Sequence, residues 1–152
     1  ALFGHMGIEW DVRHLNDTDR QALIDAIALH KEWRDVIHSG IRRALQPVDP
    51  NQIAFQLSAA PQHLISVFQQ DMPELSVPGS LRLAGLQPEK YYRLSIILRP
   101  EKTGHLMKTG PAWMARDMVR LTGESLMSVG VPLPVMDPDS LLVLAITEEQ
   151  TH

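Results

Sequence analysis

The stretch GIEWD sets two carboxylic acids, Glu9 and Asp11, on either side of Trp10. On an extended strand, residues two apart share a face, so both acids would enter one cleft. Hydrolysis of a glycosidic bond with retention uses two carboxyl groups about 5 Å apart. An indole between them would offer a platform to a sugar ring. The competing reading is structural: acids at the end of a strand are its solvated exit into a loop, and spacing alone favours that reading. His5, in Gly4-His5-Met6-Gly7, would reach a substrate only if the strand end faced a pocket. A packed imidazole bonded to a neighbouring loop is the simpler expectation.

Other chemistry finds less support. His30 and His38 lie eight residues apart, not the four that bring two imidazoles onto one metal. The chain has no cysteine, which excludes disulfides and thiolate–metal centres. There is no glycine-rich phosphate loop, no nucleophile elbow, and no Ser/His/Asp set that spacing singles out. Neither a metal nor a cofactor is expected. Lys31, Glu32, Arg34 and Asp35 read as a solvated helix face, with pairs contributing roughly 0.3 kcal/mol each. Trp33 falls on an apolar helical stripe and reads as core, whereas Trp113 is open between core and sugar contact.

Residues of this kind need elements to hold them. The 152-residue chain is 44% hydrophobic and 21% charged, values of a folded globular protein of one domain, or of a small domain plus part of another. Its net charge of −4 is spread among interspersed acids and bases, so no nucleic-acid footprint is present. No apolar run reaches bilayer-spanning length, and neither a membrane nor a signal peptide is indicated.

The pattern changes near Gly40. Residues 1–11 read as a short apolar strand of the kind buried on both faces in a parallel sheet. Asn16 is an N-cap, with Asp17 and Asp19 placed where the helix dipole favours negative charge. Ala22, Ala26, Leu29, Trp33 and Val36 then form one stripe, widened by Leu23, Ile27 and Ile37. The spacing predicts a helix of roughly 22 residues, about 33 Å long, ending at a left-handed Gly40. A strand and a helix of this type cannot stand alone, because the strand's backbone groups and the helix's apolar stripe both need partners. The stretch therefore reads as a unit severed from its predecessors.

Beyond Gly40 the period becomes two. NQIAFQLSAA, QHLISVFQQ, GSLRLAGL, KYYRLSIIL, ESLMSVGVPL and DSLLVLAITE read as short strands separated by turn chemistry such as VPGS, LQPEKY and MDPDS. Five to seven strands predict an antiparallel sandwich, with GPAWMARDMV as an irregular or briefly helical insertion.

Two stretches carry more than a period. FGHMGIEWDVRHL followed by LHKEWRDVIHSG resembles the last strand–helix unit of the barrel in bacterial α-galactosidases of glycoside hydrolase family 36. Lys31, Arg34, Ser39 and Gly40 fall on that family's helix-end pattern. SVPGSLRLAGLQPEKYYRL resembles its sandwich hairpin, and GESLMSVGVPLPVM its closing segment, with Thr122 where a serine is more usual. The resemblance covers essentially the whole chain. It implies a mixed fold class: the last strand–helix unit of a (β/α)8 barrel in residues 1–40, then an all-β antiparallel sandwich in residues 41–152.

The resemblance also implies a function. Family members hydrolyse terminal α-galactosyl groups of oligosaccharides such as melibiose and raffinose, with retention and without a cofactor. Their catalytic aspartates sit on earlier barrel strands, in motifs that this sequence lacks, so Glu9 and Asp11 inherit no catalytic role. His5, Glu9 and Trp10 become weak candidates for shaping the pocket mouth, because barrel sites form at the C-terminal ends of strands. The chain alone is expected to be an inactive structural fragment of a cytoplasmic, homo-oligomeric enzyme, with the rest of the barrel as its partner. The alternative is a stand-alone carbohydrate-binding sandwich, for which 5% aromatic residues are a poor supply.

Overall fold

The computed structural model describes residues 11–100 and 110–150. Helix α1 (Asp17–Ser39) leads into strand β1 (Ile41–Leu45), followed by β2 (Gln52–Ala59), β3 (Gln62–Gln69), β4 (Ser80–Leu81) and β5 (Tyr91–Leu98). After Gly110 come β6 (Val119–Thr122), helix α2 (Gly123–Ser128), β7 (Val131–Pro132) and β8 (Ser140–Glu148).

The predicted start of α1 is the observed one. Asn16 Oδ1 accepts from the Asp19 N–H at 2.8 Å, and Asp17 and Asp19 occupy the first turn. Asn16→Ala is expected to cost about 1 kcal/mol, read as a lower urea midpoint at unchanged slope. The helix end differs from the expectation. Gly40 is extended (φ −70°, ψ 144°) rather than left-handed. The chain does not reverse there but runs straight into β1, with the Gly40 N–H donating to the Val36 carbonyl at 2.9 Å. Glycine is required by crowding, since a Cβ would collide with that same carbonyl oxygen.

One six-stranded antiparallel sheet in the order β1-β2-β3-β8-β5-β6 organises the molecule. Strand β8 arrives last in sequence but pairs between β3 and β5, so the centre of the sheet closes only through a long-range contact. Side-chain alternation then divides the interior in two. On one face, Ala54, Ile65, Val67, Tyr92, Leu94, Leu142, Leu144 and Ile146 form the larger core. Leu81, Leu83, Leu86, Leu126, Val131, Leu133 and Met136 cover that face. On the other, Leu57, Leu64, Val143 and Ala145 meet Trp33, Val36 and Ile37 of α1.

The expected antiparallel architecture is therefore present, but the second layer is not a full second sheet. It consists of the two-residue strands β4 and β7, helix α2 and the loops between them. ESLMSVGVPL, expected as a strand, begins as α2 instead. Thr122 Oγ1 accepts from the Ser125 N–H at 3.1 Å, and Gly130 (φ +84°) then turns the chain into β7. GPAWMARDMV, expected as irregular or briefly helical, holds a single 3₁₀ turn at Ala112–Ala115 and then enters β6.

Polar side chains fix the loops. Gln56 is fully buried on β2; its amide donates to the Ala84 carbonyl at 2.8 Å and accepts from the Ala84 N–H at 3.1 Å. Asp49 is also fully buried, its carboxylate accepting from the N–H groups of Asn51 (2.9 Å) and Leu75 (3.2 Å). These bonds tie together loops whose apolar side chains, Val48, Met72, Leu75 and Val77, stay exposed and bury little of their own.

Candidate functional site

His5, Glu9 and Trp10 lie outside the described residues, as does all but Asp11 of the strand read over residues 1–11. Asp11 is described, and its carboxylate is engaged locally. Both oxygens fork onto the Arg13 guanidinium at 2.9 and 2.8 Å, and Oδ1 also caps the Arg13 N–H at 3.1 Å. These bonds, the side-chain ones foremost, hold the Asp11 carboxyl below the ordinary carboxylate range. An exposed acid so tied stays ionised, which suits a loop clasp and not a proton donor.

The His30 and His38 rings meet edge-on at 5.7 Å between centroids, and among the described residues no group of three or more His, Asp or Glu side chains could hold a metal ion. Trp33 is core, as its place on the stripe predicts. Trp113 is settled by its contacts: it packs against the larger core, and its Nε1 donates to the Pro132 carbonyl at 2.8 Å. An indole held this way braces the β7 turn.

Two shallow clefts lie near the end of β5. One, about 340 Å³, is lined by Arg99 with Asp137 and Asp139 from the turn before β8. Arg99 there donates to the Met114 carbonyl at 2.8 Å. The other, about 430 Å³, runs between α1 and β5, lined by Ala22, Ala26, Leu29, Ile97 and Leu98 and rimmed by Asp25 and Glu32. Its floor is apolar because α1 buries only its C-terminal half: Leu23, Ala26, Ile27 and Leu29 are half-buried and Ile24 is 51% exposed.

An ionic group that spacing did not reveal gathers at the other end of the sheet. Lys90 pairs with Glu148, while Glu149 accepts from Arg93 at 3.0 Å and Arg120 at 2.6 Å. The Arg120 guanidinium also stacks over the Tyr91 ring at 3.7 Å. Arg120 chiefly, then Arg93, holds the Glu149 carboxyl down, and the bond to Glu148 raises Lys90. These pairs fasten β5, β6 and β8 together. Their partners are far apart in sequence, so only the strand order could have announced them.

The described chain is thus an antiparallel sheet domain carrying one long helix, with Gln56, Asp49 and the ion pairs of Glu148 and Glu149 holding strands and loops. No protein-family model matches it. It is 37% identical over 154 residues to an α-galactosidase of Escherichia coli, a match that takes in 96% of this chain and 22% of that protein. A match to α-galactosidase AgaA of Geobacillus stearothermophilus is 29% identical over 97 residues, 62% of this chain and 13% of that protein. Solved structures share the fold. An α-galactosidase from Lactobacillus brevis superposes with a TM-score of 0.77, covering 100% of this chain and 19% of its own at 18% identity. A variant of Geobacillus stearothermophilus AgaA, a family 36 enzyme in complex with 1-deoxygalactonojirimycin, gives 0.72 at 24% identity, covering 98% of this chain and 18% of its own.

The chain spans about a fifth of the length of the first of these relatives. In sequence it corresponds to part of an α-galactosidase, and in fold to part of a glycoside hydrolase family 36 enzyme.

Proposed function

We propose that the chain is the structural C-terminal portion of a retaining α-galactosidase that removes terminal α-galactosyl groups from oligosaccharides such as melibiose and raffinose. The observation that carries this reading is the 37% identity running over 96% of the chain while spanning 22% of the relative. The reacting aspartates belong to polypeptide outside this sequence, and the chain by itself turns over no substrate. Residues 1–40 complete the enzyme's barrel and residues 41–152 form the domain packed beside it.

The surface of α1 supports this division. Its C-terminal half is buried on the sheet, while Leu23, Ile24, Ala26 and Ile27 remain partly or largely uncovered. A helix with that distribution is built to be covered from two sides, by its own sheet at one end and by further polypeptide at the other. His5, Glu9 and Trp10 then border the pocket mouth and shape it without reacting. The assembled enzyme is a cytoplasmic homo-oligomer that needs no cofactor; in the described residues no helix is long and apolar enough to cross a membrane.

With p-nitrophenyl-α-galactoside, the isolated chain is expected to show no hydrolysis above buffer, and calorimetric titration with 1-deoxygalactonojirimycin no heat of binding. Turnover would place the catalytic acids inside these residues. Saturable binding without turnover would favour a carbohydrate-binding module.

A further inference from the structure

The polar end of the larger core holds a group that the proposed function leaves idle. His63 stands on β3, 5% exposed, in line with Ile65 and Val67. Its Nδ1 is buried and has no hydrogen-bond partner among the described residues. The ring meets Tyr92 of β5 edge-on, 5.9 Å between centroids. Directly opposite it in the sheet are Ser58 on β2 and Ile146 on β8, neither of them ionisable. Two charges act on it through space: Glu148 of β8 favours the protonated ring and Arg43 of β1 opposes it. Glu148 is itself paired with Lys90, just before β5.

We propose that His63 is a proton-operated latch: taking up a proton, it loosens the 87–90 turn and α2 while the central strands stay paired. The connection is a run of contacts. Tyr92, against which the His63 ring packs, accepts from the Gln87 N–H through its phenol oxygen at 3.0 Å. The turn that begins there presents the Lys90 and Pro88 carbonyls to the Gly123 N–H (2.9 Å) and Glu124 N–H (3.0 Å), which fixes the start of α2. A proton on the buried Nδ1 needs a partner or water that its present place does not give it. Glu148, the carboxylate that favours the protonated ring, is already held by Lys90, and Arg43 opposes a second positive charge, so the ring swings away from Tyr92.

The direction with pH follows from burial, the largest influence on His63, which lowers its proton affinity below the ordinary value of 6.5. The unfolded chain binds this proton near pH 6.5 and the folded chain only at lower pH. Stability from the neutral ring is complete above about 6.5 and is lost as the pH falls below it.

The test is a proton NMR titration of the full chain, with the His63 ring signal identified by its absence in His63→Phe. Amide exchange at pH 7.5 and 5.5, corrected for its intrinsic pH dependence, follows the same samples. His63 should titrate below 6.5, with Arg43→Gln moving the midpoint up and Glu148→Gln moving it down. Protection at Gly123 and Glu124 should fall at pH 5.5 while amides of β3 and β8 keep theirs, and His63→Phe should abolish that difference. A midpoint at or above 6.5, a midpoint that Arg43→Gln leaves unmoved, or equal loss of protection in all strands would overturn the proposal. If His63→Phe does not fold, the native titration and Arg43→Gln decide the matter, the ring signal then being assigned through its contact to Tyr92.

Discussion

Replacing Gly123 with alanine is expected to destabilise the domain by about 3 kcal/mol, at the upper end of what one added methyl costs in a packed site. Gly123 is buried where α2 begins. A Cβ there would collide with the Gln87 carbonyl oxygen and come within 2.8 Å of its carbon and 3.1 Å of Tyr92 Cε2. Those neighbours are backbone and a ring in the core, so no flexible side chain can yield. The turn cannot retreat either, because its N–H groups are committed: Gln87 donates to Tyr92 and Lys90 donates to the Gln87 carbonyl at 3.2 Å. A drop in urea midpoint with an unchanged slope would confirm the effect. A variant as stable as the native chain would show that the turn and α2 are more loosely coupled than their hydrogen bonds imply.

Leu144→Ala is expected to cost about 4 kcal/mol. Leu144 is fully buried at the middle of β8, facing Ile65 on one side and Ile96 on the other. Truncation removes contacts on both sides at once, and strands held by ladders to two neighbours cannot close around the void. On a chain of this length that corresponds to a fall in melting temperature of roughly 8–16 °C. A loss below about 1 kcal/mol would mean that the core relaxes far more than a packed interior normally does. Both variants disturb stability through the sheet and its cover, so they test the fold independently of any activity in a larger enzyme.

Parts of this molecule were legible residue by residue. Asn16, the acids after it and the stripe through Trp33 and Val36 specify α1, because cap and stripe are local properties. Short apolar runs bounded by polar and turn residues, QHLISVFQQ and DSLLVLAITE, specify β3 and β8 for the same reason. Strand β1 was not legible: Arg42 and Arg43 interrupt the pattern on an edge strand that is largely exposed. Helix α2 was missed because six residues give too short a window for a period, although Thr122 and Glu124 were start signals in plain sight. The candidate site at His5, Glu9 and Trp10 rests on the resemblance alone, since those residues lie outside the described ones. GIEWD suggests paired acids by spacing, yet Asp11 belongs to Arg13.

The sequence by itself determined that this chain forms a long capped helix followed by antiparallel strands, and that it resembles part of a glycosidase. Periodicity, caps and motif residues lie close together along the chain, where a linear reading can find them. Tertiary structure alone decided that β8 enters between β3 and β5, that Gln56 and Asp49 hold loops from inside, and that His63 is buried beside Tyr92. Those facts depend on which distant segments meet, and long-range pairing is selected by the burial of whole faces at once rather than by any single residue's preference.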